Sequence, residues 1–218
     1  MRFTVDDMMR NSFVMARDTS ESDRFFDRMR SAGFRDMPRL YIGQYPKDIV
    51  GEGAYICPLN HFVLVNMART LGLDHVTIFE SDAFPMKNCR DVLGDFLESG
   101  GVPDDADEVV FGNLHFIRDW RGNMSDRHCL VDVDERERYG KILRDLWGAH
   151  AVTVFAKGYD TWLGNYLSQK TQIGSDFFNW LTPNCYATTR SFFIQVKDEL
   201  QYPEKLRDKE LLCEFPEI

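Results

Sequence analysis

Short apolar runs alternate along this chain with stretches whose apolar side chains recur every three or four residues. The runs have the length of buried β-strands, and the periodic stretches have the spacing of amphipathic helices. The apolar runs lie at residues 12–16, 38–42, 74–80, 108–111 and 149–156. This alternation is typical of an α/β fold, in which helices cover a sheet. Because no internal repeat or low-complexity linker interrupts it, the sequence predicts one domain over residues 1–218.

The helical stretches carry start and stop residues. These stretches lie at residues 21–33, 58–72, 88–99 and 159–169. Ser20 is the predicted N-cap of the first, and Gly33 is its C-terminal stop. The second is predicted to have Pro58 in its first turn and to end at Gly72. Its predicted buried stripe consists of Leu59, Phe62, Val63, Met67, Thr70 and Leu71.

The charge balance is acidic, with 35 Asp and Glu against 26 Lys and Arg, which gives a formal net charge of −9 at pH 7. A phosphate backbone would be repelled at long range by such a chain. We therefore expect no nucleic-acid partner.

The cysteine spacing and the length of the apolar segments indicate the cellular compartment of the protein. Five cysteines are widely separated and none forms a CxxC pair, which argues against a disulfide framework or a structural zinc site. No run approaches the ~18 apolar residues of a membrane span. The first residues lack the apolar core of a signal peptide. We expect a cytoplasmic protein.

Two carboxylates follow the apolar run at 74–80. Glu80 ends that run and Asp82 follows one residue later. In open α/β sheets ligands bind beyond the carboxyl ends of strands. Two carboxylates there can share a hard divalent cation, with a nucleotide diphosphate completing its coordination. Alternatively, Ser81 or Asp82 caps a following helix, and the spacing alone favours neither interpretation.

The segment at 51–85 contains a series of short motifs. They are Gly51, Glu52 and Gly53, then Cys57, Leu59, Asn60 and His61, then Gly72 and Leu73, and then Glu80, Ser81, Asp82 and Ala83. In this order they resemble the bacterial lipopolysaccharide-type glycosyltransferases of family 25. Ser81 stands where that family has the middle acid of a Glu-Asp-Asp triplet.

Further motifs extend the resemblance over roughly residues 12–196, which leaves a C-terminal tail at 197–218. They are Ser22, Asp23 and Arg24, then Ala149, His150 and Ala151 with Lys157 and Gly158, then Gly174, Ser175, Asp176 and Phe177, and then Tyr186 and Gln195. The resemblance implies a single GT-A-like, Rossmann-like domain with a mixed central sheet flanked by helices. It also implies transfer of galactose or glucose from a UDP-sugar to a glycan acceptor, with inversion and with Mn²⁺ or Mg²⁺. Such an enzyme would serve lipopolysaccharide or surface-glycan biosynthesis and would meet the membrane peripherally, through a lipid-linked acceptor.

The resemblance also implies roles for individual residues. Glu80, Asp82 and His150 would be metal ligands, and Asp176 would be the catalytic base. The expected nucleotide or substrate contacts are Arg24, His61, Ser81 and Gln195. For most of these residues, a purely structural role is the alternative to the functional one. Asp176 would cap a helix at 177–181, His61 and His150 would be packed in the core, and Arg24 would pair with Asp27.

Two other functions stay open at this point. The first is a GT-A-like domain that binds a nucleotide or a partner without catalysis, which Ser81 in place of an acid favours. The second is a metal-dependent phosphohydrolase, although Glu80 is a poor match to the first aspartate of an Asp-x-Asp nucleophile pair.

Overall fold

The structure is a computed structural model that describes residues 2–43, 52–86, 88–112, 131–132, 139–142, 150–168, 181–188 and 192–195. The helices are α1 (Val5–Arg10), α2 (Thr19–Ser31), α3 (Glu52–Thr70), α4 (Cys89–Glu98) and α5 (Tyr159–Ser168). The strands are β1 (Ser12–Ala16), β2 (Arg39–Ile42), β3 (His75–Glu80), β4 (Ala83–Pro85), β5 (Glu108–Gly112), β6 (Val131–Asp132), β7 (Tyr139–Ile142), β8 (Ala151–Phe155), β9 (Cys185–Thr188) and β10 (Phe193–Gln195). The tail at 197–218 lies outside the described residues, and the assignment of one domain stays a prediction.

Most of these strands form a single mixed sheet. Its order across the described residues is β2-β1-β3-β8-β5-β9-β7-β6, and β4 pairs separately with β10. β1 is parallel to both β2 and β3, whereas β8 runs antiparallel to its neighbours β3 and β5. The predicted α/β class, with a mixed central sheet flanked by helices, is confirmed.

Helices cover both faces of the sheet, and each face has its own hydrophobic core. On one face α1, α2 and α4 pack against Val14 of β1 and Phe79 of β3. On the other face α3 and α5 pack against Met15 and Ile78, the neighbours of those residues on the same strands. Successive side chains of a strand point to opposite faces, so a strand buried on both faces must be apolar along its length. This is why the central strands stand out in the sequence as short apolar runs.

The N-cap of α2 differs from the prediction. Asp18, not Ser20, is the N-cap, and its carboxylate accepts a hydrogen bond from the backbone N–H of Glu21 at 2.9 Å. Ser20 lies inside the first turn, because the chain enters the helix two residues earlier than its apolar pattern suggests. Gly33, at φ 93°, follows the helix and confirms the predicted stop.

Helix α3 corrects two further predictions. It begins at Glu52, so Pro58 lies inside the helix rather than in its first turn. The predicted stripe is also wrong, since Leu59, Val63 and Leu71 are exposed. The buried face consists, among the residues whose burial is described, of Ile56, Pro58, Asn60, His61, Leu64, Val65 and Ala68. Hydrogen bonds make the two polar members tolerable there: the Tyr41 hydroxyl lies 3.4 Å from Asn60, and His61 contacts the Cys57 carbonyl.

Within the described residues, no helix has both the length and the apolar character that crossing a membrane requires.

Candidate functional site

The sheet has a topological switch point at β1. The chain leaves β1 through α2 to reach β2 on one side, and returns through α3 to reach β3 on the other side. The two connecting helices lie on opposite faces of the sheet. In open α/β sheets the ligand crevice lies beyond the carboxyl ends of the strands that flank such a switch point, which are β1 and β3 here.

The predicted Glu80, Ser81 and Asp82 lie at this crevice. Glu80 is the last residue of β3, and Ser81 and Asp82 form the turn into β4. The Glu80 N–H donates to the His150 carbonyl at 2.9 Å, and the Ser81 N–H donates to the Met15 carbonyl at 2.9 Å. Both neighbouring strands thus hold the backbone at the start of the turn. The three side chains are half-buried, and Oδ1 of Asp82 is fully buried.

Glu21 joins this turn to the start of α2, a contact that the sequence reasoning missed. Its carboxylate accepts hydrogen bonds from the Ser81 hydroxyl at 3.0 Å and from the Arg17 N–H at 2.9 Å. Glu21 stands three residues after the N-cap Asp18, the position at which capping-box acids occur. That spacing is a signal in the sequence, but it identifies Glu21 only when Asp18, and not Ser20, is the N-cap.

The Glu80 carboxylate lies close to a thiol and an imidazole that both belong to α3. The Cys57 thiol donates to Glu80 Oε1 at 2.8 Å, and Cys57 Sγ lies 3.6 Å from Nδ1 of His61. The same Nδ1 lies 3.0 Å from the Cys57 carbonyl oxygen. His61 is fully buried, whereas Cys57 and Glu80 are half-buried. The sequence motifs included Cys57 and His61, but only the fold brings them to Glu80.

His150 lies beside this region without joining that group. Its ring is fully buried, and Nε2 donates to the Phe193 carbonyl at 2.9 Å, which ties β10 to the main sheet. The ring also packs so closely on Gly112 that a Cβ there would lie 2.5 Å from it. Its predicted role as a metal ligand stays a prediction, as does that of Asp82. Among the described residues, the group with ligand atoms within 4.8 Å of one another is Cys57, His61 and Glu80.

The remaining predicted residues are spread over several elements. The backbone of Gln195 pairs with Ala83, which brings β10 next to the turn that carries Asp82. Arg24 is exposed on α2, and Asp27 forms its ion pair with Arg30 at 2.8 Å. Asp176 lies outside the described residues.

A buried carboxyl group lies at the opposite end of the strands, at the start of the inner strand β5. Glu108, the first residue of β5, is fully buried, and neither of its oxygens has a well-aligned hydrogen bond among the described residues. Burial raises its pKa to about 7, although the adjacent Cys185, Thr182 and Trp162 side chains favour the charged form. Glu108 is paired with Val154 of β8, and Val154 is paired with Val76 near the start of β3. Glu108 therefore lies toward the amino end of β3, away from the carboxyl end that carries Glu80.

Comparisons with known proteins identify no family. No protein-family model matches the chain, and no curated protein matches it. Among solved structures, the chain is similar to the crystal structure of A197 from STIV, with 14% sequence identity and a TM-score of 0.41. That similarity covers 84% of this chain and 81% of the other. A likeness of this strength establishes neither a shared family nor a shared activity.

Proposed function

We propose that the protein is a glycosyltransferase that transfers a hexose, galactose or glucose, from a UDP-sugar to a glycan acceptor with inversion. The observation that carries the proposal is the position of Glu80, Ser81 and Asp82 at the carboxyl end of β3 and in the turn after it, beside the switch point. A nucleotide placed in that crevice would have its diphosphate next to these carboxylates. The family 25 resemblance supplies the reaction and the donor class.

Glu80 and Asp82 would hold the divalent cation, Mn²⁺ or Mg²⁺. Their chemistry fits a hard cation, because both present carboxylate oxygens and both are half-buried at the same turn. When bound, the cation would supply Lewis-acid neutralisation of the diphosphate leaving group. Ser81 makes the turn less negative by one charge than an acid at that position would. Its hydroxyl donates a hydrogen bond to the Glu21 carboxylate.

The other roles in the proposal belong to the chain's own side chains. Asp176 would accept the proton of the acceptor hydroxyl. Gln195 would contact the nucleotide from β10, whose backbone pairs with Ala83. The net charge of −9 would be compatible with such a ligand, because a cation held by Glu80 and Asp82 would screen the diphosphate.

A thermal-shift panel of UDP-, GDP- and CMP-sugars, each with and without Mn²⁺, tests the donor class. At 100 times its Kd a ligand stabilises the native state by about 2.7 kcal/mol. For a chain of this size that corresponds to a rise in Tm of about 5–10 °C. We expect this rise with UDP-sugars and Mn²⁺ together. Equal shifts for all three nucleotide classes would contradict the proposal.

Asp82→Asn tests the metal assignment. The substitution keeps the size of the side chain but removes the negative charge, so we expect metal-dependent UDP binding to be lost. Calorimetric titration of UDP with Mn²⁺ measures the affinity, and Asp95→Asn, at an exposed position of α4, is the matched control. Equal affinity in the Asp82→Asn variant and the parent would refute the role of Asp82.

Product release separates the proposal from its alternatives. A transferase releases UDP from its UDP-sugar in the presence of an acceptor. Binding of UDP and Mn²⁺ without UDP release from any donor would indicate a non-catalytic binding domain. Phosphate release from a generic phosphate ester would indicate a phosphohydrolase.

A further inference from the structure

We propose that Cys57, His61 and Glu80 form a binding site for a borderline divalent cation of the zinc class. Their ligand atoms lie within 4.8 Å of one another. Among the metal-ligating side chains of the described residues, these three form the group that meets this distance condition. The site goes beyond the proposed transfer reaction and does not depend on it.

Local structure places two of the three donors. Cys57 and His61 are four residues apart on α3, so their side chains lie on the same face of the helix, one turn from each other. Two ligands at this spacing on one helix are a recurring way of holding zinc. The next turn of α3 is anchored by Leu64 and Val65, which are fully buried. The helix therefore presents both donors from a rigid support.

The third donor comes from the end of β3, and the distances suit a small cation. Tetrahedral zinc with usual bond lengths separates a sulfur ligand from a nitrogen ligand by about 3.6 Å. The distance from Cys57 Sγ to His61 Nδ1 is 3.6 Å. The distance from Sγ to Glu80 Oε1 is shorter, 2.8 Å, because a proton joins these two atoms. Replacing that proton by zinc requires the carboxylate to withdraw by about 0.8 Å.

The donor set selects the class of cation. A thiolate and an imidazole favour zinc and similar borderline ions, whereas Mg²⁺ prefers oxygen ligands alone. Three protein donors leave one tetrahedral position for water or a ligand, which is the arrangement of open zinc sites. Binding would release the thiol proton of Cys57, so the affinity should rise with pH. Nδ1 of His61 would give up its hydrogen bond to the Cys57 carbonyl, and the ring proton would stand on Nε2 instead.

Glu80 belongs both to this site and to the proposed nucleotide site. A carboxylate has two oxygens and can serve two partners, with Oε1 directed to Cys57. Asp82 is not part of the cysteine-containing group, so the two sites respond differently to substitution. That difference provides a test of each site by itself.

Cobalt is the spectroscopic probe for the site. The full chain, freed of metal by a chelator and kept reduced by a phosphine, is titrated with Co²⁺. We expect a near-ultraviolet thiolate-to-cobalt charge-transfer band that saturates at one equivalent and is displaced by Zn²⁺. Cys57→Ser should abolish the band and weaken Zn²⁺ binding by at least ~10-fold. Cys89→Ser, at a buried thiol that donates to the Phe192 carbonyl, should change neither. Absence of the band in the parent, or its persistence in Cys57→Ser, would overturn the proposal.

Two further measurements keep the test decisive. Asp82→Asn should retain full Zn²⁺ affinity even where UDP binding is lost, so failure of the nucleotide proposal leaves the zinc result intact. If Cys57→Ser does not fold, alkylation of the parent followed by peptide mass analysis answers the question. Zn²⁺ should protect Cys57 from alkylation, and equal modification with and without Zn²⁺ would refute the site.

Discussion

Glu108 is a carboxyl group in an environment that disfavours its charged form. It begins a strand, it is fully buried, and its pKa is about 7 instead of the ordinary 4.5. A carboxyl with a raised pKa binds its proton more tightly in the folded state than in the unfolded state. Its contribution to stability is therefore complete below pH 4.5 and is lost as the pH rises through 7.

We predict that Glu108→Gln removes this pH dependence. Between pH 5 and pH 9 the parent should lose roughly 3 kcal/mol of unfolding free energy through this group. The amide cannot ionise, so over the same pH range the unfolding free energy of the variant should fall by roughly 3 kcal/mol less than that of the parent. Urea unfolding at several pH values measures the difference. Glu98→Gln, at an exposed position of α4, should behave as the parent does. Parallel stability profiles for Glu108→Gln and the parent would contradict the assignment.

The site residues differ in how far the sequence could reveal them. Glu80 and Asp82 were predicted from their position after a strand. His61 was predicted as a nucleotide contact from a motif, yet its described partner atoms belong to Cys57 of its own helix. The contact between Cys57 and Glu80 spans 23 positions of sequence, and no local pattern encodes it.

Helix α3 shows how an element can be predicted while its orientation is not. Its existence and its end shortly before Gly72 follow from periodicity and from that glycine, which adopts φ 66°. Its buried face does not, because Leu59 and Val63 suggested a different stripe. The helix packs Asn60 and His61 toward the sheet, where hydrogen bonds compensate their polarity. Apolar periodicity cannot detect a face that includes paired polar residues.

Two identical substitutions in α3 test that orientation. Leu64→Ala removes a fully buried side chain, so we expect a loss of about 2–5 kcal/mol of unfolding free energy. Leu59→Ala alters a side chain that is 39% exposed, so we expect a loss of less than about 1 kcal/mol. Urea unfolding with unchanged m-values measures both. Equal losses, or a larger loss for Leu59→Ala, would restore the orientation predicted from the sequence.

At the scale of the molecule, the charge and the sheet order have separate consequences. The net charge of −9 acts at long range and disfavours polyanions. The sheet order acts locally, because it places the carboxyl ends of β1 and β3 side by side at the switch point. We therefore propose a small phosphate ligand with a cation at the switch point, whereas a nucleic acid would be repelled at long range.

We predict that the protein does not bind nucleic acid. Fluorescence anisotropy with labelled single-stranded and duplex DNA and RNA, at about 0.15 M salt, should show no saturable binding. Non-specific complexes of basic proteins have Kd values of about 10⁻⁴ to 10⁻⁶ M under such conditions. Saturable binding with a Kd in or below that range would show that a local basic surface overrides the net charge.

The sequence by itself determined the fold class, the strands β1, β2, β3, β5 and β8, most helices, and the position of Glu80 and Asp82 at the end of a strand and just after it. These features depend on contacts between near neighbours in the chain and on the apolar character of strands buried on both faces. Only the tertiary structure decided the strand order, the buried face of α3, the contact of Glu21 with Ser81 and the meeting of Cys57, His61 and Glu80. The physical reason is that these arrangements are set by packing between elements distant in sequence, where each local pattern is compatible with several partners.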